Sequence, residues 1–452
     1  MLNQQILVML ICLALKAPIF AEVYPHKIKN LPKEQAKFYE ISKLQVQDLE
    51  QNLYAWGLGI SSPKENYYEI GQALAHANYQ LGIRMQLDEL STWQAKQKAK
   101  RIYDYLSEDE QLLKFINPFI QINGKKRINM CNRYDDQGCI QETIGNSDQI
   151  SALNRDNAVL QKRYEAIPQN IKQSIGYIHP YSYPIAAFPD IGTILSLLDL
   201  DLANAVIDVS NGQKMRGIER LERISFFANL SHSGTLTLPS MQLNIQQALN
   251  QTINGLLDEK LLDPNDEVLE RLYELDIDRF DQKFRDALKW QAKYMMQNNL
   301  FLYQDYKENL MEIKADDVIS LEDDLIIAGL FYKRYKAYEA ALDEMTLEPN
   351  SFHQVTLHVE NLPFNITLTS PYEYLMQAKY QKAYEKLLRA KIKILKGESF
   401  EEDDEIKRDQ EKSRLYIEFK EKAEEGAPTL PQSMRWFNKD RRFLERLEVD
   451  IP

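Results

Sequence analysis

The stretch 191–230 constrains the fold more than any other part of this sequence. Residues 191–209 carry apolar side chains at helical spacing, Asn211-Gly212 supplies a turn, and residues 214–230 return with Met215, Ile218, Leu221, Ile224 and Ala228 on one face of a second helix. Two such segments joined by so short a turn bury their stripes against each other, as an antiparallel αα-hairpin. Much of the chain has the same character. Helices are expected over 32–56, opened by Pro32 and closed by Gly57 and Gly59; over 65–85, after Ser61-Ser62-Pro63; over 87–119, with a break near Ser107; and over 150–167, stopped by Pro168. Others are expected over 241–258, 264–275 with Asp263 as cap, 278–300, 321–345 and 371–395. Glycine is scarce, 16 in 452 residues against a usual share of roughly 7%, which disfavours tight β-turns and Gly-rich phosphate loops.

One segment breaks the helical period. Val355, Leu357 and Val359, then Phe364, Ile366 and Leu368, alternate with polar residues around Asn361-Leu362-Pro363, the pattern of a β-hairpin. The expected class is therefore mainly α: packed helical hairpins with one small β-hairpin near residues 354–369. Residues 398–412 are dense in charge and read as a solvated linker or exposed helix, with a helix over 412–424 and an irregular tail beyond Gly426.

The N-terminus has the layout of an export signal. A ten-residue apolar run from Ile6 to Leu15 is far shorter than the roughly 20 residues that span a bilayer, and the small residue Ala21 sits before Glu22 where a signal peptidase would cut. The expected organisation is a signal peptide at 1–21, an N-terminal helical region at 22–130, a disulfide loop at 131–139, a central helical-hairpin domain at 140–350, a β-hairpin with long helices at 351–425, and the tail at 426–452. The alternative is an inner-membrane anchor through residues 6–20. Cleavage removes one basic residue, Lys16, so 55 basic residues become 54 against 67 acidic ones, a net charge of −13. Without a basic footprint, nucleic acid is not an expected partner.

Cleavage also removes Cys12 and leaves two cysteines, Cys131 and Cys139, around the turn-prone Asp135-Asp136-Gln137-Gly138. In an oxidising compartment that pair reads as a disulfide, worth roughly 2–3 kcal/mol by loop closure. Redox motifs use two intervening residues rather than seven.

Motifs with catalytic spacing are few. Ser61-Ser62-Pro63-Lys64 has the Ser-x-x-Lys spacing of penicillin-interacting enzymes without their companion motifs, and reads as an inter-helix loop. Ser231-His232-Ser233-Gly234 sets a nucleophile type beside a base type, but chain neighbours rarely face each other. His26, His76, His179, His232, His353 and His358 show no metal-ligand spacing. Asp316-Asp317 and Glu322-Asp323-Asp324 could pair carboxylates for sugar hydrolysis, but fall where helix N-termini favour acidic residues. Neither a metal nor another cofactor is expected. Tyrosine is abundant, 25 residues, and Tyr177, Tyr181, Tyr183, Tyr332 and Tyr335 are candidate interaction aromatics.

Two resemblances go with these residues. Ala203, Gly212, Gly217 and Leu221, and later Tyr335, Ala337, Ala341 and Pro349, locally resemble tetratricopeptide repeat hairpins, without a 34-residue period. Over more of the chain, Asn52-Leu53-Tyr54-Ala55-Trp56-Gly57-Leu58, the pair Cys131 and Cys139-Ile140, Leu160 with Arg163-Tyr164, the 203–221 helix pair and Pro371 with Tyr374-Leu375 resemble exported α-helical envelope proteins of Gram-negative bacteria with no known activity. The expected role is a non-enzymatic protein-interaction or envelope-assembly factor with an envelope protein as partner; the alternative is an envelope enzyme or binding protein acting on glycan or lipid. Mass analysis of unreduced, alkylated exported protein is expected to show Cys131 joined to Cys139, and two alkylated thiols would contradict the pairing.

Overall fold

The computed structural model describes residues 32–39, 53–86, 138–167, 171, 173–175, 191–229, 231–233, 237–266, 321–344, 356–357, 366–367, 371–400, 405–419 and 446–451, with isolated positions elsewhere. The described part is mainly helical. The elements, in chain order, begin with α1 (Lys33–Tyr39), α2 (Leu53–Gly59) and α3 (Tyr67–Gln86), followed by three short helices α4 (Cys139–Gly145), α5 (Ser147–Asp156) and α6 (Ala158–Glu165). Strand β1 (Gln173–Ile175) leads to α7 (Ile191–Ser210), α8 (Lys214–Asn229), β2 (Ser231–Ser233), α9 (Thr237–Asp258) and α10 (Leu321–Glu344). The chain ends with β3 (Thr356–Leu357), β4 (Ile366–Thr367), α11 (Pro371–Leu395) and strands β5 (Lys407–Asp409), β6 (Arg414–Glu418) and β7 (Arg446–Asp450).

The α7/α8 hairpin is the unit expected from the sequence. Gly212 takes φ +77°, a conformation glycine adopts without strain, and closes the turn. Ile218, Leu221, Ile224 and Ala228 are buried as expected, but Met215 is 70% exposed, because it sits in the first turn of α8. At Gly217 the two helices approach so closely that a Cβ would strike the Val209 side chain and the Ala205 carbonyl.

The close expected at Gly57 and Gly59 comes at the second of them: α2 passes Gly57 and ends at Gly59. Packing also calls for glycine there. A Cβ on Gly59 would overlap the Tyr67 carbonyl, and one on Gly71 would overlap the Ala55 carbonyl, so α2 and α3 cross backbone to backbone at these two glycines. The helical run expected over 150–167 starts earlier, at Cys139, and is broken at Asn146 and Asn157. Each asparagine turns its amide back on the helix it ends: Nδ2 of Asn146 donates to the Glu142 carbonyl at 2.7 Å and Nδ2 of Asn157 to the Leu153 carbonyl at 2.9 Å. Side-chain bonds of this kind compete with the helical ladder and favour termination.

The C-terminal part departs furthest from expectation. Where its stretches are described they are not the expected linker, 412–424 helix and irregular tail: β5, β6 and β7 form an antiparallel sheet in that order, with Leu415 opposite Val449 and Ile417 opposite Leu447. Leu415, Ile417, Leu447 and Val449 face inward. The outward positions carry charge: Arg414 donates to Asp450 and Glu448 at 2.7 Å each, Lys407 donates to Glu418 at 2.9 Å, and the Arg446 guanidinium lies 3.5 Å above the Tyr416 ring. Exposed pairs contribute little stability each, but opposite charges on facing strands favour this register over a slipped one. The hairpin expected near 354–369 is represented by the antiparallel pairs Thr356 with Thr367 and Leu357 with Ile366.

One apolar core joins these parts. It takes Leu53, Trp56 and Ile60 from the N-terminal pair, Leu160 and Tyr164 from α6, the inner faces of α7, α8 and α9, Tyr380 and Leu387 from α11, and Leu415, Leu447 and Val449 from the sheet. Helix α11 packs on α9 and on β6 and β7, with Tyr380 edge-on to Phe419 at 4.4 Å between ring centroids. Gly71→Ala is expected to lower stability by about 2 kcal/mol or more, since the new methyl meets backbone that cannot yield. Gly145→Ala, whose Cβ meets nothing within 4 Å, is expected to be neutral or to raise stability by up to about 1 kcal/mol. Urea unfolding of both variants checks the pair.

Candidate functional site

The densest buried polar chemistry lies between α9 and α11. On α9, Gln242, Gln246, Asn250, Asn254 and Asp258 recur at four-residue intervals and so line one ridge of the helix. Gln246, Asn250, Gln381 and Glu385 are all fully buried. Their donors run in one direction. Gln246 Nε2 donates to Asn250 Oδ1 at 2.9 Å, Asn250 Nδ2 donates to Glu385 Oε1 at 3.2 Å, and Gln381 Nε2 donates to the same oxygen at 3.0 Å. Three oxygens are left without a donor: Oε1 of Gln246, Oε1 of Gln381 and Oε2 of Glu385. Burial pushes the Glu385 carboxyl up to about 7, against the pull of the Gln381 and Asn250 bonds and of Arg389. At the other end of the seam Lys391, 1% exposed at its side chain, donates to Asn254 Oδ1 at 2.8 Å and pairs with Asp258.

A second buried cation holds the N-terminal helices. Arg163 on α6 donates to the carbonyls of Ile60 and Ser62 at 2.6 Å each and of Lys64 at 2.7 Å, and its guanidinium lies 4.4 Å from the Tyr67 ring. Its planar fork satisfies three loop carbonyls that burial would otherwise leave costly. The Ser61–Lys64 segment is thus a clamped inter-helix loop, in which Ser62 Oγ accepts from the Lys64 backbone N–H at 3.3 Å.

A third cluster lies inside the α7/α8 hairpin. Arg220 Nε donates to Asp208 at 2.8 Å, Arg220 Nη1 to Asp201, and Arg223 Nε to Asp201 at 3.0 Å. Tyr164, fully buried, stacks on Phe227 with centroids 5.3 Å apart and ring planes within 9°. Here the charges cross-link the two helices, and α6 joins them through Glu165, 3.6 Å from Arg220.

Of the residues singled out in the sequence, Cys139 starts α4 and is buried, while Cys131, Ala21, Glu22, Tyr177, Tyr181 and Tyr183 lie outside the described residues. Tyr332 and Tyr335 on α10 meet Phe38 of α1, with centroids 5.4 and 4.8 Å away, and their hydroxyls donate to Glu34 at 3.4 Å and Glu339 at 3.1 Å. Glu322-Asp323-Asp324 fall in the first turn of α10, and His232 lies on β2, which pairs in parallel with β1. Asp263 accepts from the Asn265 backbone N–H at 2.9 Å, a local turn contact. Among the described residues no three His, Cys, Asp or Glu side chains gather as a metal site, and no helix is long and apolar enough to cross a membrane. The seam was overlooked in the sequence because glutamine and asparagine at helical spacing also read as a solvated face; the signal was their fixed four-residue interval beside buried Leu249, Ile253 and Leu256.

No family model matches the chain, and no curated protein or solved structure does either. Replacing Arg163 with Leu is expected to cost about 3 kcal/mol of stability, and Arg163→Lys to recover only part of it, because one ammonium cannot serve three carbonyls in a plane. Chemical denaturation of the two variants measures this.

Proposed function

We propose that this is an exported, non-enzymatic protein that works by presenting packed helical hairpins to a protein partner in the bacterial envelope. The observation that carries the reading is the use made of the polar side chains. The Ser61–Lys64 segment, with its Ser-x-x-Lys spacing, is held as a loop by Arg163. The Asp201, Asp208, Arg220 and Arg223 charges fasten α7 to α8, and the Tyr332 and Tyr335 rings fasten α10 to α1. Side chains committed in this way build a rigid body and leave its surface as the working part.

Export is supported by the short apolar run at Ile6 to Leu15 and the small residue Ala21 ahead of Glu22. In that compartment Cys131 and Cys139 pair as a disulfide, anchoring the loop before α4, where Cys139 is already buried against the core beside Ile140. The resemblance to exported helical envelope proteins supports the same compartment. Two of its landmarks share one core, Leu53 and Trp56 of the 52–58 segment with Tyr164 of Arg163-Tyr164.

Fractionation of cells carrying the full-length chain, with N-terminal sequencing, is expected to place it in the periplasm beginning at Glu22. Crosslinking in intact envelopes is expected to trap a defined protein partner through the tagged chain. Retention of residues 1–21 would contradict cleavage, and recovery of nothing above background would contradict the interaction role.

A further inference from the structure

The α9–α11 seam is short of donors in a way that a proton would mend. Every hydrogen bond in the Gln246, Asn250, Gln381 and Glu385 group is already directed at an oxygen, and the three atoms left over are all acceptors. Buried acceptors without donors are costly, and a native interior rarely leaves several together. Only Glu385 in this group can gain a donor without any change in the chain, by taking up a proton on Oε2. Gln381 Nε2 already donates to Glu385 Oε1 at 3.0 Å one helical turn away, which sets the amide and the carboxyl beside each other. A proton on Oε2 donating to Gln381 Oε1 would complete a two-bond acid–amide pair.

We infer that Glu385 is a proton-binding site that locks α11 onto α9: its protonated form supplies the missing donor to the seam, and loss of that proton loosens the contact between the two helices. Burial favours the neutral form, against the pull of the polar neighbours. From α9 it faces the neutral amides of Gln246 and Asn250; from its own helix, Gln381 and the Arg389 charge; and the sheet that packs on α11 turns the apolar Leu415, Ile417, Leu447 and Val449 inward. The Lys391 and Asp258 pair farther along the seam is satisfied by itself and by Asn254. Through α11 the state of Glu385 reaches the C-terminal sheet, since β6 and β7 pack on that helix. The consequence for the cell rests on the export reading, because an exported chain meets the pH outside the cytoplasm; the site itself does not depend on it.

Because the folded carboxyl holds its proton more tightly than an unfolded one, the stability it contributes is fully present below its ordinary value of 4.5 and is lost as pH rises to about 7. Urea unfolding of the intact chain, wild type against Glu385→Gln, tests this on purified protein and independently of where the protein resides. Glutamine keeps the shape and carries a permanent donor. Relative to the variant, the wild-type unfolding constant is expected to rise with pH across that window, approaching about tenfold per pH unit at its steepest, and to level off above it. Parallel pH dependences for the two proteins would overturn the proposal. If Glu385→Gln does not fold, infrared spectroscopy of the wild type provides the second reading: a buried protonated-carboxyl band at pH 5.5 that fades through neutral pH supports the site, and its absence overturns it. Stabilisation at pH 8 by sodium or potassium ions, with no such band at pH 5.5, would assign the acceptors to a cation and equally overturn it.

Discussion

Residues as far apart in sequence as Leu53 and Ile451 share one apolar interior, and the other features of the structure depend on that shared burial. Apolar area removed from water contributes about 25 cal/mol per Å², so a core assembled from so many segments favours bringing all of them together. It also imposes a condition. A helix surrounded on most sides, as α11 is by α9 and the sheet, carries its polar side chains away from water, and each must then find a partner inside.

The chain meets that condition in three ways. Arg163 spreads one guanidinium over three loop carbonyls, which ties the closely crossed α2 and α3 to α6. The α7/α8 hairpin neutralises its buried arginines with Asp201 and Asp208. The α9–α11 seam is met only in part, because its amides and Glu385 leave acceptors over. A fully satisfied network is rigid, and a partly satisfied one responds to whatever completes it. The first two clusters therefore fasten their elements together, and the third is where a change in conditions would act.

The helical class, the α7/α8 hairpin and the long helices α10 and α11 were legible in the sequence, because a 3.6-residue apolar period survives over many turns. The failures have physical causes. Gly57 and Gly59 read locally as helix terminators, and α2 does end at Gly59, but the close crossing with α3 that also needs glycine there depends on Gly71, outside any local window. Asn146 and Asn157 end helices through their own side chains inside a continuous helical pattern. The strands β6 and β7 alternate Leu415 with Ile417 and Leu447 with Val449, but each alternation is only two apolar residues long and is set among Arg414, Glu418, Arg446, Glu448 and Asp450, so β6 reads as helix and β7 as irregular tail. The seam is hidden in the sequence because glutamine, asparagine and glutamate at helical spacing fit a solvated face as well as a buried one.

A single core joins the N-terminal pair, the hairpin, α9, α11 and the C-terminal sheet, and the buried polar clusters serve this union. Native-state amide hydrogen exchange measures it most directly. The slowest amides of α2, α8, α9, α11 and β6 are expected to share one opening free energy and to respond together to added denaturant. A group of α11, β6 and β7 amides that opens separately, at a clearly lower free energy than α8, would contradict the claim.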